Sequence, residues 1–109
     1  MTEIPTPPPT YQEFVKRYPK LEEAWEKINE AGKEGGNFDD KTMRLIKLGI
    51  AMGAMKQGAI ASGVRKALAI GITPSEIEQV IALTAGTLGM SSTVAVFSWV
   101  QEVLNQEQD

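Results

Sequence analysis

Between Gln79 and Gln101 the chain carries no charged residue. A run of that length would suffice to cross the roughly 30 Å hydrocarbon layer of a bilayer, but TAGTLGMSST breaks it with Gly86, Gly89, Ser91 and Ser92. The two apolar pieces left are each too short to span. They read instead as two buried helices joined by a turn, so the fold must be one in which helices cover one another. At 109 residues the chain fits one domain, a size at which a single core buries roughly two-thirds of the unfolded surface.

The helical pattern continues through the rest of the chain. Residues 1–9 contain Pro5, Pro7, Pro8 and Pro9 and predict an extended arm. The expected helical domain covers residues 10–105, followed by a frayed tail at 106–109. Thr10 and Glu13 have capping-box spacing for a first helix ending near Tyr18, and Pro19 suits the first turn of a second. In that second helix Leu21, Trp25 and Ile28 recur at helical spacing and Gly32 marks the expected end. Asp39 and Asp40 read as helix-start residues before KTMRLIKLGIAMGAM, which turns apolar on all sides after Lys47. Another helix runs from about Lys56 to Ile70 and stops at Gly71, with a kink or break near Gly53 to Gly58.

Thr73-Pro74-Ser75-Glu76 is the clearest local signal: an N-cap threonine, proline at N1 and glutamate at N3. Ile77, Val80, Ile81, Thr84 and Leu88 form the stripe of that helix, and Gly89 ends it. Ser91 or Ser92 is then expected to cap a last helix that turns Val94, Phe97, Val100 and Leu104 inward. No strand-like alternation of useful length occurs. The fold class expected is therefore all-α, with about six helices.

Small residues recur four apart at Gly49 and Gly53, Ala54 and Gly58, and Ala59 and Gly63. Glycine inside a helix costs up to about 1 kcal/mol relative to alanine, so this many require a compensating role. Close approach of helix axes is the favoured explanation, and room for a ligand is the alternative. The apolar load also exceeds what a thin helical layer hides, which predicts a homo-oligomer, a trimer or hexamer.

Composition removes several function classes. Fourteen acidic against 11 basic residues give a net charge of −3, and no basic block can neutralise a run of phosphates, so nucleic acid is not an expected partner. With no cysteine and no histidine, the chain has no disulfide, thiolate nucleophile, Cys/His metal site or Ser-His-Asp triad. No cofactor or metal is expected. The start MTEIPTPPPT has neither a basic n-region nor an apolar h-region, which predicts a cytoplasmic protein without a membrane partner.

Three segments in order, FDDKTMRLIKLGIAMGAM, GVRKALAIGITPSEIEQVIALTAGTLGM and VFSWVQEVL, resemble the carboxymuconolactone decarboxylase-like family, which includes the alkylhydroperoxidase D proteins. The resemblance covers about Phe14 to Leu104 and is most specific over VRKALAIGITPSEIEQVIALTAGTLG. It implies a helical fold of the alkylhydroperoxidase D type and either decarboxylase or peroxiredoxin-type peroxide-reducing activity. The peroxide-reducing branch has Cys-x-x-Cys-x-x-x-His immediately before Val-Arg-x-Ala-Leu. Here those positions hold Lys56, Ala59 and Gly63. A closer branch has Glu-Gly-x-x-His-Ser-His, against which this chain keeps Gly58 and Ser62 but has Gln57, Ala61 and Gly63 in place of the carboxylate and imidazoles.

Thiol-based peroxide reduction needs a thiolate and a resolving thiol, so that chemistry has no carrier at these positions. The polar residues left nearby are Lys56, Gln57, Ser62 and Arg65. They are the candidate pocket residues. One expectation is a non-catalytic oligomer for assembly or small-ligand binding, with a small acidic metabolite as ligand. The alternative is a lyase, decarboxylase or isomerase of small carboxylic acids, with Lys56 as acid, Arg65 as anchor and Gln57 as orienter. Lys56 could act so only if desolvation lowered its pKa. The simpler readings are that Lys56 reaches solvent over an apolar stem and that Arg65 pairs with an acid across a helix or subunit contact.

Overall fold

The computed structural model describes residues 7–107. Most of the Pro-rich arm and the last two residues of the expected tail lie outside this range. Six helices follow in order, and no strand occurs among the described residues. The chain divides after Asp39 into two compact units.

The first unit holds α1 (Pro9–Arg17) and α2 (Pro19–Glu34). The Thr10 capping box does not form. Pro8 is the N-cap without a side-chain bond, and Pro9 starts the helix, its fixed φ already suited to the first turn. Phe14 and Tyr18 pack ring against ring at 5.2 Å, and Arg17 pairs with Glu13 at 2.9 Å. α2 runs through Gly32 to Glu34, because glycine weakens a helix without blocking its geometry. Neither helix buries a residue: Leu21, Trp25 and Ile28 lie on α2 as their spacing predicts, yet all three are exposed.

The second unit contains α3 (Asp40–Gly53), α4 (Gln57–Ala69), α5 (Pro74–Leu88) and α6 (Met90–Glu107). α3 packs on α4 and α5, and α6 packs on the same two helices. Each helix contributes to one core: Leu48 and Met52 from α3, Ile60 and Val64 from α4, Ile77 and Ile81 from α5, and Val96 and Val100 from α6. Burying a side chain of this size is worth about 1.5–3 kcal/mol.

Local chemistry sets the junctions. The expected break between α3 and α4 falls at residues 54–56. Lys56 N–H donates to the Ala51 carbonyl and Met55 N–H to that of Met52, a Schellman pair with Met55 at φ +56. Gly71 at φ +90 closes α4 the same way, with Ile72 N–H on the Ala67 carbonyl and Gly71 N–H on that of Leu68. The Thr73–Glu76 capping box forms in both directions.

Gly89 ends α5, but neither Ser91 nor Ser92 caps α6. The Gly89 carbonyl instead accepts both the Thr93 amide and, at 2.8 Å, its hydroxyl, so one glycine serves both helices. The inward face of α6 is also rotated from expectation. Thr93, Val96, Val100, Val103 and Leu104 are buried, while Val94 and Phe97 are exposed.

Candidate functional site

The 3.6-residue period gives α3 two working sides. One carries Leu48 and Met52 into the core. The other, with Leu45, Ile46, Gly49 and Gly53, lines an open groove of about 610 Å³. Across it α5 supplies Val80, Leu83, Thr84 and Leu88, with Glu76, Gln79 and Thr87 as further polar groups. The glycine pair divides the two explanations of small residues between them. A Cβ on Gly49 would sit 3.7 Å from Val80 Cγ1, an ordinary packing contact, whereas one on Gly53 would meet nothing within 4 Å. Gly53 therefore leaves room, and so does Gly58.

Polar chemistry in the groove is modest and already partnered in part. Glu76 binds Lys41 at 2.6 Å and accepts the Thr73 amide at 3.0 Å. The Lys41 contact first, and the Thr73 amide second, hold this carboxyl below its ordinary range. The Thr84 hydroxyl donates to the Ile81 carbonyl at 2.6 Å. None of the four candidates read from the sequence is among the lining residues. The groove was not anticipated, although Gly49 and Gly53 on α3 and the threonines in the otherwise apolar second half of α5 are the signals that point to it.

Those four candidates lie at the start and along the length of α4. Lys56 is the N-cap residue and Gln57 the first helical residue, both exposed; Ser62 and Arg65 are half-buried further along. Lys56 and Arg65 are nine positions apart, which on an α-helix means opposite faces and about 13 Å along the axis. The fold does not bring them together. Arg65 Nε instead lies 3.8 Å from the Glu107 carboxylate on α6, the cross-helix ion pair that its charge suggested.

The three motif positions Lys56, Ala59 and Gly63 share one side of α4 by their 3- and 4-residue spacing. Lys56 and Ala59 are exposed. Gly63 is buried, and a Cβ built on it would stand 3.0 Å from Leu48 Cδ1. Leu48, itself without solvent exposure, thus fills the space beside the third motif position. A side chain there cannot enter until Leu48 yields.

Fold and site together define an all-α protein whose motif-bearing stretch is the helix after a tight reversal, packed against the helix before it. The chain belongs to the carboxymuconolactone decarboxylase family, whose model matches residues 19–102. No curated protein and no solved structure matches the chain. No helix among the described residues is long and apolar enough to cross a membrane.

Proposed function

We propose that this member of the carboxymuconolactone decarboxylase family works as an oligomeric small-ligand-binding or assembly protein and does not reduce peroxides through thiols. The observation that carries this reading is the content of the motif stretch. Lysine, alanine and glycine stand at positions 56, 59 and 63, and none can supply a thiolate or the imidazole to activate one. The α3–α5 groove supplies an apolar lining with a few polar groups, the usual make-up of a small-molecule site. Its rim and neighbourhood also carry Ile50 and Leu83, exposed by 64% and 74%, a pattern suited to burial against a second copy.

Two measurements on the purified full chain test this reading. With hydrogen peroxide and a dithiol donor, the expected peroxide consumption is no faster than in buffer. In sedimentation equilibrium at micromolar concentration, the expected mass is a small multiple of 11.9 kDa. Sustained dithiol-dependent turnover or a strictly monomeric mass overturns the reading.

A further inference from the structure

α2 carries an apolar face that stays open in the single chain. Leu21, Trp25 and Ile28 stand at i, i+4 and i+7, which puts them in one stripe along about 10 Å of helix. All three are more than half exposed. Glu22, Glu23, Glu26 and Glu30 fall outside that stripe, so the face itself is uncharged.

The α3–α5 groove has complementary dimensions and chemistry. It runs from Leu45 to Gly53 on α3 and from Glu76 to Leu88 on α5, about 12 and 18 Å at the helical rise, long enough to receive the stripe. Glu76 is the one charged side chain lining it among the described residues, and Lys41 already pairs with that carboxylate. An uncharged guest therefore suits the groove better than a free anion. Gly53, where a Cβ would meet nothing within 4 Å, leaves space on the α3 side for a large ring. On the α5 side the Thr84 hydroxyl gives its proton to the Ile81 carbonyl and keeps a lone pair for an incoming donor. A tryptophan answers both features, with an indole ring and one N–H.

We propose that α2 of a second copy docks in the α3–α5 groove, with Trp25 as the anchor between Gly53 and Thr84. The proposal rests on the oligomeric reading above and names what occupies the groove in the assembly. Helix-in-groove recognition uses anchors at this spacing, and aromatic residues seated in pockets dominate such contacts. Stripe and groove lie on different parts of one chain, so the complement is present wherever the chain is. Each copy donates one α2 and receives another, and the exchange closes as a reciprocal pair or a ring. α1 and residues 35–39 lie outside the contact.

Sedimentation equilibrium of the full chain at micromolar concentration tests this with Trp25→Ala, Gly53→Phe and their mixture. The first variant removes the anchor and the second fills the place it enters. Both change exposed residues, and circular dichroism reads whether the helices persist. Leu83→Glu, at a groove residue 74% exposed, replaces Gly53→Phe if phenylalanine costs helix. Each variant alone should associate at least about tenfold more weakly than the wild type. Mixed one to one they should associate again, because the intact α2 of one variant finds the intact groove of the other. An α2 folded onto its own groove, or an interface elsewhere, gives no such complementation. A wild-type multimer whose mass neither variant changes overturns the docking and leaves the oligomeric reading standing, whereas a wild-type monomer overturns both. Variants that stay apart when mixed also overturn the docking.

Discussion

Met55 adopts a left-handed conformation at φ +56, the only non-glycine residue with positive φ among those described. This geometry costs an L-residue about 1–2 kcal/mol. The Met55 side chain, however, packs against the core, and a half-buried methionine offsets a cost of that size. The balance yields an inverted substitution order. Met55→Ala loses the packing and keeps the strain, whereas Met55→Gly loses the packing and relieves the strain. Alanine should therefore be the more destabilising of the two, by about 1 kcal/mol, opposite to their order within a helix. Urea unfolding of both variants measures the difference, and an alanine variant as stable as the glycine one would contradict the account. The sequence could not disclose this position. Its glycines drew attention to Gly53 and Gly58, but the first lies in α3 and the second in α4.

Local signals were legible at the level of elements when the chemistry was complete within four residues. Thr73-Pro74-Ser75-Glu76 is such a case, and Gly71 and Gly89 are others. Thr10 and the Ser91–Ser92 pair misled because a stronger neighbour acted first: Pro9 opened α1, and the Gly89 carbonyl served the start of α6. The inward face of α6 was not legible, since apolar residues nearly surround that helix and periodicity cannot rank Val96 above Val94. The start of α5 is also where stability should depend on acid. Glu76 has a folded pKa below its ordinary value of about 4.3, so its contribution is present above that value and is lost as pH falls through the lowered folded one. The stability gap between the wild type and Glu76→Gln should therefore narrow on acidification. Melting curves from pH 7 to pH 3 check this, and a gap constant across the range would exclude it.

At the scale of the whole chain, the two units differ in what holds them. Residues 40–107 share a core drawn from four helices, while α1 and α2 bury nothing. Helices of 9 and 16 residues are marginal when packing does not support them. Limited proteolysis should therefore cut first within residues 9–39 and leave a fragment beginning near Asp40, as a mass spectrum of the early products would reveal. Equal cleavage in α4 at the same protease dose would refute this. The amphipathic pattern of α2 was plain in the sequence, but its burial was not, because periodicity identifies an apolar face without naming what covers it. The all-α class was legible because caps and stripes recur in order along the chain, and the family because three segments of the sequence resemble it. The contact between Gly63 and Leu48 couples substitutions at the two positions. A Cβ at position 63 needs the end of the Leu48 side chain to shift, so a ring as large as imidazole there should be tolerated better beside a smaller residue at 48 than beside leucine.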